Sequence, residues 1–372
     1  MQKHLPLPEY GKMQQTILFV VEKPDVAAQL ASIVRAKFSD AKIYALSTLS
    51  VIGTFEFDYP RGLKFRDIPY LQEPKWKYPS NRDFRPVQEI LADRIIRLDL
   101  SPKDVLSVAN KIILATDLDP ANVFGFHLMI SEFLGHERAQ DEYEAIVTYS
   151  MTPEILQRAV DNPLSTKDDW YQKLLNKGTA KKYFDFNYNT NSLIVFGELL
   201  RGLGVDTNQF IMSKYSLQVL YDLNIRGPVH RNNYYSLMGQ WIGSGKYALA
   251  QIGSHASRNA ILEGLIENNL LSEDDQLNIN ITQTGSMFLK LLHPDCQDAD
   301  LPLRMEAWIN DWDTSRGKIE RYLNTYFSKQ KRFYFKTFPP QDETHYGSKN
   351  LTKALEEVHK DIPPFKAGSA NK

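Results

Sequence analysis

An α/β domain with a mostly parallel sheet, followed by a mainly α-helical domain, is the fold class that this sequence predicts. Three observations predict it. TILFVVEKP, from Thr16, and NKIILATDLDP, from Asn110, are short apolar runs rich in β-branched residues, and both read as buried strands. Helical periodicity separates them, and alternation of strands with helices favours parallel pairing. From about Thr152 onward the strand-like runs give way to helical ones.

The first domain spans 16–150, after a polar lead-in over 1–15. DVAAQLASIVRAKF places Val26, Leu30, Ile33, Val34 and Phe38 on one helical face, with Asp25 positioned as its cap. STLSVIGTFEFDYP alternates as a strand, the stretch Gly62–Pro86 is loop-rich, and PVQEILADRIIRLDL reads as a helix. In the second domain, 151–336, helices are expected over TPEILQRAV, KDDWYQKLLNKGTAKKYFDF, NSLIVFGELLRGLG, SKYSLQVLYDLN and SHASRNAILEGLIENNLL. NINITQTGSMFLKLL reads as a strand leading into a helix. LRMEAWINDWDTSRGKIERYLNTYFSKQKRF reads as a helical pair split at Ser315–Gly317. A tail, 337–372, carries a short helix at Leu351–Lys360 suited to docking a protein partner.

Composition narrows the function classes. The chain is 42% hydrophobic and 24% charged, with 44 Lys and Arg against 45 Asp and Glu, so any polyanion-binding face must come from local clustering. The single cysteine, Cys296, excludes an internal disulfide and a multi-cysteine zinc site. No apolar run reaches membrane-spanning length, and residues 1–15 lack the apolar core of a signal peptide; a cytoplasmic protein is expected.

Acids close both buried strands: Glu22 the first, Asp117 and Asp119 the later one. In an open α/β sheet the carboxyl ends of strands converge on the ligand crevice. Three carboxylates there repel one another unless a hard cation such as Mg²⁺ holds them; the alternative is ordinary solvated strand ends. ILFVVEKP and IILATDLDP resemble the two acid-bearing strands of the TOPRIM domain of type IA DNA topoisomerases. YEAIVTYSMTPEILQRAVDNP, KKYFDFNYNTNSLIVFGELL, FIMSKYSLQVL and QIGSHASRNAILEGLIENNLL resemble, in order, the segments that follow in that family. The resemblance covers about Thr16 to Phe335.

The resemblance implies Glu22 as the catalytic-site glutamate, Lys23 as its neighbouring cation, and Glu22, Asp117 and Asp119 as metal ligands. The family's third acid falls on Ala121, its arginine on Pro120 and its second glutamate on Val123, which implies weak or absent Mg²⁺ binding. It further implies Ser213, Gln218, His255, Ser257 and Arg258 along a DNA strand. The family's long arch, with its nucleophilic tyrosine in a Tyr-Pro-Arg-Thr-Asp motif, is missing. Only Asn224–Lys246 fill that interval, where Tyr234 and Tyr235 are the replacement nucleophiles to consider.

Between Arg316 and Lys336, seven cations (Arg316, Lys318, Arg321, Lys329, Lys331, Arg332, Lys336) face a single acid, Glu320, with aromatics interleaved. That suits a single-strand groove, with Lys329, Lys331 and Arg332 as candidate phosphate contacts, and equally suits a solvated helix with an aromatic core face. IGSGK at Ile242–Lys246 lacks the spacing of a phosphate loop. The expected function is binding of single-stranded or junction DNA without strand passage. The alternatives are a metal-dependent TOPRIM nickase or nuclease, topoisomerase activity through Tyr234, Tyr235 or a partner's tyrosine, and an interaction subunit of a larger DNA-processing assembly.

Overall fold

A computed structural model describes residues 15–48, 55–78, 87–148, 150, 152–208, 210–246 and 249–337. The chain divides into two compact units, residues 1–57 with 76–179, and 58–75 with 180–372. The sequence placed the division near 150. Contacts instead carry the first unit through Thr179 and give 58–75 to the second.

The first unit contains β1 (Thr16–Val21), α1 (Pro24–Lys37), β2 (Lys42–Ser47), β3 (Glu56–Phe57), β4 (Trp76–Lys77), β5 (Val87–Ile90) and β6 (Ile95–Leu98). It continues with α2 (Pro102–Val108), β7 (Lys111–Thr116), α3 (Pro120–Leu134), β8 (Glu144–Val147), α4 (Pro153–Asp161), β9 (Leu164–Ser165) and the start of α5 (Asp169–Gly202). The main sheet runs β6-β5-β2-β1-β7-β8-β9, and β2, β1, β7 and β8 are mutually parallel. Strand alternation sends Leu18, Val20, Leu114 and Leu46 into a core with α2 and α3, and Ile17, Phe19, Val21 and Ile113 into another with α1 and α4. This is an α/β unit with a mainly parallel, mixed sheet.

Several elements depart from the sequence expectation. Residues 87–98 are not helical: β5 and β6 form an antiparallel hairpin closed by Leu91 N–H donating to Arg94 O at 2.9 Å. Val87 and Ile90 are buried, and β5 extends the sheet beside β2, so pairing overrides the helix-like spacing. The strand expected over 47–60 falls partly outside the described residues; the strand beside β1 lies earlier, at Lys42–Ser47, with β3 as a two-residue remnant. Asp25 does not cap α1. The N-cap is Lys23, with no side-chain hydrogen bond, and Asp25 sits in the first turn. The lead-in before Gln15 and the helix expected at 351–360 lie outside the described residues.

The second unit holds the rest of α5, then α6 (Lys214–Arg226), β10 (Val229–His230), α7 (Arg231–Met238), α8 (His255–Glu267), β11 (Leu271–Glu273) and β12 (Asn278–Ile281). It ends with α9 (Gln283–Lys290), α10 (Leu301–Ile309) and α11 (Trp312–Thr337). The break between the last two helices falls at Asn310–Asp311, because Ser315 is buried inside α11 and donates its N–H to Asp311 O.

The two helices expected over 167–204 are one continuous helix of 34 residues. Its centre, Asn187-Tyr188-Asn189-Thr190-Asn191-Ser192, has poor helix propensity. Tertiary hydrogen bonds explain it. Asn191 accepts from Tyr70 N at 2.7 Å and donates to Tyr70 O at 2.7 Å; one turn earlier, Asn187 accepts from Gln72 N at 2.8 Å and donates to Gln72 O at 2.9 Å. Two buried amides thus act as a strand partner for the extended segment 70–72. Lys331 donates to the carbonyls of Arg66 and Ile68 in the same segment, at 2.6 and 2.7 Å.

Asn191→Ala therefore leaves the Tyr70 amide and carbonyl without partners and should destabilise the protein by about 2–4 kcal/mol. Asn189→Ala, which loses only a bond to the Tyr59 hydroxyl, should lose about 1 kcal/mol or less. Urea unfolding midpoints for the two variants measure the difference.

Candidate functional site

β1 lies between two parallel neighbours. The chain leaves β1 through α1 to β2 on one side, while β7 pairs on the other, so the carboxyl ends of β1 and β7 flank a topological switch point. Val21 is in register with Ala115, which sets Glu22 and Asp117 just beyond the ends of adjacent strands. Their carboxyls lie close enough for the charge of one to act on the other. The Glu22 carboxyl is held above its ordinary value, first by burial and then by the Asp117 charge. Lys23 draws it down and Asp119 pushes it up, both more weakly.

Asp119 has a different job. Its Oδ1 accepts from Asn122 N at 2.7 Å as the N-cap of α3. The Asn122 side chain, 5% exposed, turns back and donates Nδ2 to Asp117 Oδ1 at 2.9 Å and to Asp117 O at 3.2 Å. Asn122 thereby fixes both acids, a role the sequence reading missed; an asparagine three residues after an N-cap aspartate was its only signal. The start of α3 is also held from above. A Cβ at Gly178 of α5 would come within 2.3 Å of Pro120 O.

Magnesium needs a near-octahedral oxygen set; here the Asn122 amide occupies Oδ1 of Asp117 and Asp119 Oδ1 caps α3, so each aspartate commits one oxygen within the protein. Among the described residues no group of three or more His, Cys, Asp or Glu is arranged to hold a metal ion.

The residues expected along a DNA strand have varied environments. Ser213 caps α6 by accepting from Ser216 N at 3.0 Å. Gln218 is 1% exposed, with both ends of its amide committed to the backbone of Cys296 and Asp298. It cannot touch a strand. Ser257 lies in the first turn of α8, bonded to Ser254, and His255 is exposed beside it. Arg258 is enclosed, not open to a groove. Tyr234 is fully buried, which raises its phenol well above the ordinary value and removes it as a nucleophile. Tyr235 donates its hydroxyl to His255 O at 2.6 Å.

Of the aromatics on α11, Tyr326, Phe327 and Tyr334 are core residues, so these three are not stacking platforms. Lys329 is ion-paired to Asp295, and Lys331 is committed to the carbonyls of 66 and 68. Of the three cations expected on phosphate, only Arg332 is exposed without an ion-pair partner among the described residues. Lys318, Arg321 and Lys336 are likewise exposed and unpaired there. At 100° per residue these four share one helical face about 27 Å long.

Asp300 takes the Ser244 N–H at 2.7 Å and its hydroxyl at 2.6 Å, which fills the Ile242–Lys246 turn with an internal carboxylate. No helix of the described residues is long and apolar enough to cross a membrane. Comparison with protein-family models finds no match, and comparison with characterised proteins finds none.

Because the folded-state value of Glu22 is raised, the folded protein binds that proton more tightly than the unfolded chain. The contribution of Glu22 to stability is therefore fully present below the ordinary value of 4.5 and is lost as pH rises through its raised folded-state value. Glu22→Gln should raise Tm at pH 7 by a few degrees and leave it nearly unchanged at pH 4. Thermal unfolding at the two pH values checks the sign.

Proposed function

We propose that this chain is a DNA-binding protein built on the plan of a TOPRIM domain joined to the helical domain of type IA topoisomerases, and that it binds single strands without passing one through another. The observation that carries the reading is the row of Lys318, Arg321, Arg332 and Lys336 on one face of α11. A polyphosphate backbone is the partner that suits it, since each phosphate contact releases condensed counterions, while the net charge of −1 gives the whole chain no such preference.

Supporting it is the meeting of Glu22 with Asp117 at the ends of β1 and β7, the positions to which the resemblance assigns acids. Against the nuclease alternative stand the commitments of the aspartates, since the Asn122 amide takes one oxygen of Asp117 and Asp119 Oδ1 caps α3, leaving fewer oxygens for a metal that would activate water. Strand transfer through Tyr234 is disfavoured by its burial. Affinity comes from cations on a helix, with little base readout, since Tyr326, Phe327 and Tyr334 are in the core.

Fluorescence anisotropy with a labelled single strand across a salt series tests the reading. Replacing Lys318, Arg321, Arg332 and Lys336 together by Ala should weaken binding at low salt and flatten the slope of log K against log salt by about 0.7 per lost phosphate contact. Replacing Lys329, whose charge Asp295 already meets, should change the slope least. Unaltered binding by the fourfold variant would defeat the proposal.

A further inference from the structure

Arg258, in the first turn of α8, is 7% exposed, and no carboxylate lies within ion-pair distance among the described residues. Enclosing an uncompensated charge is expensive, and buried charges are ordinarily paired. Of the five N–H donors on its guanidinium, Nη2 donates to Gln251 Oε1 at 2.7 Å, and Nε is sealed from solvent without a partner. The ring of Tyr235 lies 5.3 Å from the guanidinium carbon. The end of α7 at Gly239 is also adjacent, but a helix terminus offers only about half a negative charge.

The surroundings are shaped around this side chain. A Cβ at Gly239 would come within 2.8 Å of Arg258 Nη1, and one at Gly253 within 2.7 Å of the Ser257 hydroxyl and 3.7 Å of Arg258 Cγ. Gly253 also has a φ of +69°, which an L side chain seldom adopts. Two glycines thus make room for the arginine and for Ser257. Near the arginine lie the exposed His255 and the Ser254 and Ser257 hydroxyls at the amino end of α8.

We propose that Arg258 is the floor of a binding site for a small phosphate-type oxyanion, which supplies the counter-charge the fold lacks. The site is distinct from the α11 face and does not depend on the DNA reading. A polymer backbone cannot lie across a guanidinium this enclosed, so the occupant is a free anion.

Isothermal titration with inorganic phosphate, at ionic strength fixed with NaCl, tests the proposal. The protein should bind one phosphate per chain, and Arg258→Met should raise half-saturation at least tenfold. Should Arg258→Met fail to fold, Gly239→Ala provides the second variant: it crowds Arg258 Nη1 and should weaken phosphate binding while retaining the arginine. In the unaltered protein, phosphate should also shift the Arg258 Nε resonance in ¹⁵N spectra. Phosphate binding unchanged in either variant, or an unmoved Nε resonance at saturation, overturns the assignment. A single strand without a terminal phosphate should not compete; competition by it would overturn the restriction to a free anion.

Discussion

The first unit depends on the position of β1, which is buried on both faces and paired in parallel on both edges. Ile17 through Val21 are at most 1% exposed, and their alternation feeds two separate cores. A strand so placed must be apolar along its whole length and must shed its polar residues at its end. Glu22 is the first residue free to be charged, and parallel pairing with β7 sets Asp117 beside it. The meeting of these acids follows from topology; their mutual repulsion is what the site must then accommodate. The fold does so by holding the Glu22 carboxyl above its ordinary value and by donating the amide of Asn122 to Asp117.

The strands β1 and β7 and helices α1, α4, α6, α8 and α9 were legible in the sequence because local pattern and tertiary role agree there. The hairpin at 87–98 was not. Its apolar spacing satisfies a helix as well as a strand, and only the exposed edge of β2 decides between them. Similarly, the Asn-rich centre of α5 reads as a break until the segment 70–72 is placed against it, more than a hundred residues away in sequence. Contacts at that separation leave no periodic trace.

The candidate site was legible in kind and not in detail. Strand-end acids could be named from the sequence, yet the asparagine that bonds both Asp117 and Asp119, Asn122, looks unremarkable in the chain. The basic stretch before Lys336 shows the reverse error. Interleaved aromatics and cations suggested a groove, but a helix separates them by face: Tyr326, Phe327 and Tyr334 go inward, Lys329 and Lys331 are committed to internal partners, and the remaining cations are left to solvent. Charge that survives this sorting is the better guide to a partner, and it underlies the DNA reading proposed above.

That reading separates binding from catalysis. Tyr234 is enclosed, and Asp117 and Asp119 each commit an oxygen to Asn122. Incubation of the purified protein with negatively supercoiled plasmid, with and without MgCl₂, followed by gel resolution of topoisomers, tests the central claim most directly. The topoisomer distribution should stay unchanged at protein concentrations that saturate a single strand. A ladder of relaxed topoisomers would contradict it.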